Sequence, residues 1–123
     1  MNAMIAVDVL LEPDAATQDR ARQANRSLRA DHPGGFAFDA SHLPHVTLVQ
    51  RYVYERDLAA LFTAIASVAN AHNPLALSLE ATGVQVRIDG ETGSASWRIA
   101  RAPALQALAA DCLATAQSLA VSA

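Results

Sequence analysis

From Met4 to Leu11 the chain reads MIAVDVLL, and this run constrains the fold more than any other stretch. Ile5, Val7, Val9 and Leu11 share one parity. Met4, Ala6 and Leu10 fill the other, with Asp8 the lone polar exception. A run that is apolar on both parities predicts a strand covered on both faces. Asp8 then needs a partner, as a structural hydrogen-bonder or, less simply, as part of a cleft. The chain has 123 residues, a single-domain length that can bury roughly two thirds of its unfolded surface.

The remaining patterns alternate between strand and helix. Glu12-Pro13-Asp14 closes the first run, and residues 14 to 31 read as a mostly polar helix with a thin stripe of Ala21, Ala24 and Leu28. His32-Pro33-Gly34-Gly35 stops it. Leu43 to Tyr54 reads as the second strand from its β-branched and aromatic content. Glu55 to His72 carries the clearest helical period, through Leu58, Leu61, Phe62, Ile65, Ala69 and His72. Leu75 to Glu80 alternates as a strand, and Gly83 marks a bulge or kink before Val84, Val86 and Ile88. Asp89 to Gly93 is a turn, and Ser94 to Ala100 returns as the second strand of a hairpin. Pro103 opens a last helix with Leu105, Leu108, Cys112, Ala116 and Leu119 on one side. The order β-α-β-α-β-β-α predicts an α+β or α/β domain with helices on a sheet.

Counting excludes several chemistries. All nine basic residues are arginine, so no lysine can form a Schiff base or serve a P-loop. Cys112 is the single cysteine, which excludes an internal disulfide and any multi-cysteine metal site. A net charge of −3 and a pI near 5.7 argue against a broad basic face for duplex nucleic acid. No run approaches the ~20 apolar residues of a membrane span, and a cytoplasmic, soluble domain is expected.

The most specific candidate for chemistry is His45-Val46-Thr47-Leu48. On a strand, His45 and Thr47 point the same way, about 6–7 Å apart. An imidazole suits proton transfer near neutral pH, and a neighbouring hydroxyl can donate to a phosphate oxygen. Taken as four residues alone, a His capping a sheet edge and a Thr chosen for the strand explain them better, since a His-x-Thr triplet is common by chance. Arg51 shares their parity and is a candidate for pairing with phosphate, against an ordinary arginine at a strand's end.

In its context, SHLPHVTLVQRYV following the strand IAVDVLLEP, this sequence resembles the two-histidine (2H) phosphoesterase superfamily, which includes RNA 2′,3′-cyclic phosphodiesterases, also called 2′-5′ RNA ligases. The element order resembles that family along the whole chain, and only the segment around His45 is motif-specific. The resemblance implies a bilobal α+β fold with antiparallel sheets backed by helices. Each lobe then gives one His-x-Thr/Ser motif to a central cleft. One histidine serves as general base and the other as general acid, the hydroxyls hold phosphate, and no metal or cofactor is required. By resemblance His45 takes one acid/base role and Thr47 a phosphate-binding role.

The sequence departs from that pattern in one respect. The other histidines read His32-Pro-Gly, His42-Leu-Pro and His72-Asn-Pro, so there is no second His-x-Thr or His-x-Ser. Residues 1–123 are therefore expected to form a single 2H-like domain lacking its C-terminal portion. A shortened relative without catalysis ranks second, and a two-fold dimer with two facing copies of His45 ranks third.

Other candidates read more simply as structure. His42 and His45 fall on different faces, and no acid or cysteine completes a metal set. His72 reads as a helix C-terminal cation, Trp97 as core, and Cys112 as a small buried hydrophobe. Arg87 and Arg98 lie on the polar parity of the hairpin, where solubility explains them better than RNA contact. Two functions remain: a metal-independent phosphoesterase acting on an RNA end or small cyclic nucleotide, or a non-catalytic module binding such a ligand.

Overall fold

A computed structural model describes residues 3–121. It contains two small antiparallel sheets and three α-helices. The elements are β1 (Met4–Leu11), α1 (Ala15–Asp31), β2 (Val46–Tyr54), α2 (Leu58–His72), β3 (Ala81–Asp89), β4 (Thr92–Ile99) and α3 (Pro103–Leu119). β1 pairs with β2 in one sheet, and β3 with β4 in the other. The α+β class and the element order agree with the periodicity, apart from the run Leu75–Glu80. That run is not a strand: Asn73 caps α2 in the left-handed conformation at φ 48°, and Pro74 opens a 3-10 turn through Ala76. The ring fixes φ and removes a donor that a ladder needs.

One face of the β1–β2 sheet packs on α3, and α3 packs on α2. Val49 and Val53 from β2, Leu61 from α2, and Leu108, Cys112 and Ala116 from α3 form the buried core. Val7, Val9 and Leu11 of β1 pack around it. The Met4, Ala6, Asp8, Leu10 face of β1 is exposed, so the strand is covered on one side only. That corrects the expectation from its double apolar parity. Past α3 the backbone turns onto the free edge of β2: Ala120 bridges Val53, and the Val121 N–H donates to the Tyr52 carbonyl at 2.8 Å.

Helix ends follow local chemistry. Asp14 caps α1 by accepting from the Thr17 N–H at 2.8 Å, and Pro103 occupies the first turn of α3. The Thr17 bonds hold the Asp14 carboxyl below its ordinary range. A depressed carboxylate stabilises the fold above its unfolded value and loses that contribution as pH falls through its folded one. Asp14→Ala is therefore expected to lower the urea midpoint at neutral pH, and the gap from wild type to close in acid. An equal gap at both pH values would remove the cap from the account. The rest of α1 contributes little packing. It buries no residue, and Leu28 of its thin stripe is exposed.

On α2 the inward side runs through Leu58, Leu61, Ile65 and Val68, while Phe62 is 66% exposed. His72 closes α2 as expected, and its Nε2 pairs with the Asp111 carboxylate of α3. Burial pushes the Cys112 thiol up, with the Asp111 charge adding to the effect. A thiol reagent should label Cys112 at once in urea and only as slowly as the fold opens in buffer. Rapid labelling of the folded protein would contradict its placement in the core.

The β3–β4 hairpin has the expected turn at Asp89–Gly93, with Gly90 at φ +62° in a two-residue loop. The register shifts between Ala81 and Gly83, so the bulge beside Gly83 is present. Val84, Val86 and Ile88 lie opposite Trp97, Ala95 and Gly93 on one apolar face, yet both strands are exposed almost throughout. Trp97 is 38% exposed, and belongs to this open face rather than to the core.

Candidate functional site

The segment before β2 decides how the site is built. Pro44 is buried and offers no N–H, so β2 begins at Val46 instead of Leu43. His45 thus stands at the lip of the sheet, one residue outside the strand. Its Nδ1 lies 2.7 Å from the Leu43 carbonyl oxygen. A carbonyl only accepts, so Nδ1 carries the proton, and Nε2 of the neutral ring is left with a free lone pair.

Pairing across the sheet sets what Nε2 meets. Val9 pairs with Val49 and Leu10 with Thr47, so Leu48 is an extra residue in β2. This bulge turns Thr47 to the open face, with Gln50 and Tyr52, rather than to the face of Val49 and Val53. Asp8 pairs with Gln50 on the same face. Its Oδ2 accepts from Gln50 Nε2 at 3.2 Å and from Thr47 Oγ1 at 3.4 Å, and lies 3.8 Å from His45 Nε2. All three distances are at or beyond the long end for hydrogen bonds, so the carboxylate is loosely held. The result is an imidazole, a hydroxyl and an amide converging on one oxygen position over a solvent-facing sheet.

Arg51 does not join this group. The same bulge sends it to the helix side, where its Nε donates to Gln117 Oε1 at 3.0 Å and its Nη1 to the Gln50 carbonyl at 2.7 Å. The parity that linked Arg51 to His45 and Thr47 fails because one inserted residue reverses the faces beyond it. Asp8 lies on the exposed face of β1, where it accepts hydrogen bonds from two β2 side chains as a structural group and also stands at the candidate site. Gln50 was not singled out by the sequence; the register opposite the lone acid of β1 is the signal that finds it.

Two of the other histidines are engaged elsewhere. His42 Nδ1 lies 2.9 Å from Asp39 Oδ1 and its ring packs edge-on against Phe36; His72 pairs with Asp111. The bond to His42, with that from the Ser41 N–H, holds the Asp39 carboxyl below its ordinary range. Among the described residues, no three His, Cys, Asp or Glu side chains gather as a metal-ligand group. A shallow groove of about 250 Å³ runs from Val46, Thr47 and Leu48 to Arg101 and Leu105 at the start of α3. Arg101 also lines a polar groove with Arg98, Thr82 and Gln85. No helix among the described residues is long and apolar enough to cross a membrane. No family model, curated protein or solved structure matches this chain.

Proposed function

We propose that this chain carries one half of a 2H-type phosphoesterase site, with His45 as the proton-transferring residue and Thr47 as a hydrogen-bond donor to phosphate. The observation that supports it most is the fixed ring of His45. Leu43 holds the proton on Nδ1, and the free Nε2 faces the oxygen position that Thr47 and Gln50 also address. A neutral imidazole so held can take a proton from water or a ribose hydroxyl, or give one back once protonated. The substrate class is a 2′,3′-cyclic phosphate, at an RNA end or on a small nucleotide, opened by hydrolysis or closed by the reverse step. The 2H-like bilobal arrangement and the cytoplasmic setting belong to this same reading. A second histidine comes from another His-x-Thr/Ser segment or from a second copy of the chain.

One imidazole alone faces the cluster among the described residues, and this favours a second reading. In it the chain binds a phosphorylated end without turning it over, since a concerted step needs an acid and a base together. Incubation with an oligonucleotide ending in a 2′,3′-cyclic phosphate, with and without EDTA, separates the two. The phosphoesterase reading expects ring opening that EDTA leaves unchanged. Binding without ring opening would overturn catalysis in favour of the binding module, and EDTA-sensitive turnover would overturn the metal-independent mechanism.

A further inference from the structure

We propose that Asp8 makes this site select singly charged phosphodiesters over doubly charged phosphomonoesters. The inference rests on the reading of His45 and Thr47 as a phosphate site. Its starting point is the oxygen at the centre of the cluster. Asp8 Oδ2 holds the position on which Thr47 Oγ1, Gln50 Nε2 and His45 Nε2 converge. Two neutral donors to one oxygen, joined by His45 Nε2 when the ring is protonated, describe an anion seat, and at 3.2–3.8 Å these groups hold the carboxylate weakly enough for a ligand oxygen to take its place.

The carboxylate cannot leave when that happens. Asp8 sits in mid-strand, fixed by β1 pairing opposite Gln50, so rotation of its side chain keeps its charge beside the incoming phosphate. Arg51, which could have offset that charge, is turned to Gln117 on the other side of the sheet. The site thus offers neutral donors, one imidazole and a fixed negative charge. A cyclic or linear phosphodiester brings one negative charge to it. A phosphomonoester above its second ionisation, near pH ~6, brings close to two. At ~4 Å in a solvent-facing site, the extra like-charge repulsion is worth roughly five- to tenfold in affinity. Gln50 replaces Arg51 as the third phosphate-contacting side chain, and the product of ring opening, a monoester, is pushed out by the residue that tolerates the substrate.

The test compares adenosine 2′,3′-cyclic phosphate with adenosine 2′-phosphate at pH 8, by ligand-detected NMR, which also reports any turnover. Wild type is expected to prefer the cyclic diester. Asp8→Asn should tighten the monoester roughly five- to tenfold more than it tightens the diester. Equal tightening of both, or of neither, overturns the role of Asp8 while leaving the phosphate site standing. Binding of neither nucleotide, or binding that Thr47→Val leaves untouched, overturns the site itself. If Asp8→Asn does not fold, wild type decides the matter with the methyl ester of adenosine 2′-phosphate. This singly charged analogue should bind better than the free monoester by a similar factor, and equal affinity overturns the proposal.

Discussion

Leu61→Ala is expected to cost about 3 kcal/mol of folding stability, the largest stability effect of any single truncation in α2. Leu61 is 2% exposed and is the one fully buried side chain that α2 contributes. It packs in the cluster with Val49 and Val53 of β2 and Leu108, Cys112 and Ala116 of α3. Removing three carbons there loses their transfer energy and leaves a cavity between elements that cannot close fully over it. Among the described residues six form the buried core, and small domains hold about 5–15 kcal/mol in all, so the loss is a large share of the total. The urea midpoint should fall by about 1–2 M with an unchanged slope. Phe62→Ala, one position on, should change stability by about 0.5 kcal/mol or less, because that ring faces solvent. A Phe62→Ala cost equal to that of Leu61→Ala would mean that α2 presents a different face to the sheet.

The contrast between Leu61 and Phe62 shows how far the sequence could be read. The period of α2 predicted a helix with the correct end, because Asn73-Pro74 stops it by steric rules that act locally. It could not say which edge of a broad apolar stripe faces inward, since that depends on where α3 lies. α1 and α3 were legible for the same local reasons, a capping Asp14 and a first-turn Pro103. The hairpin turn was legible from Gly90, but the exposure of Trp97 was not: alternation gives two faces and does not say whether anything covers them.

The candidate site was legible in part for a related reason. His45 and Thr47 were singled out by residue type, and both stand at the cluster. Their grouping with Arg51 assumed unbroken alternation from residue 45 to 51. Two local events broke it: Pro44 kept His45 out of the strand, and Leu48 bulged. A bulge is set by pairing with β1, thirty-nine residues from Thr47 in the Asp8 contact, and leaves no mark in β2 itself. Asp8 and Gln50 entered the site through that long-range register.

The second large effect concerns His45. Its side chain is about two-fifths exposed and makes no core contact, so His45→Ala should leave the urea midpoint within about 0.5 kcal/mol of wild type. Loss of a positioned acid or base typically costs about 10²–10⁴-fold in rate. His45→Ala should therefore lower turnover by at least ~100-fold on a near-native fold. His45→Gln should not restore it, because an amide accepts hydrogen bonds without taking up the proton at neutral pH. Thr47→Val should weaken binding of the cyclic phosphate while leaving residual turnover, since it removes a donor and spares the imidazole.

The most direct measurement is the rate of opening of a 2′,3′-cyclic phosphate at an RNA end by wild type and His45→Ala, in EDTA, with folding checked on the same samples. The account predicts steady ring opening by wild type and a loss of at least ~100-fold in the folded variant. Equal rates for the two proteins, or no ring opening by wild type, would contradict it.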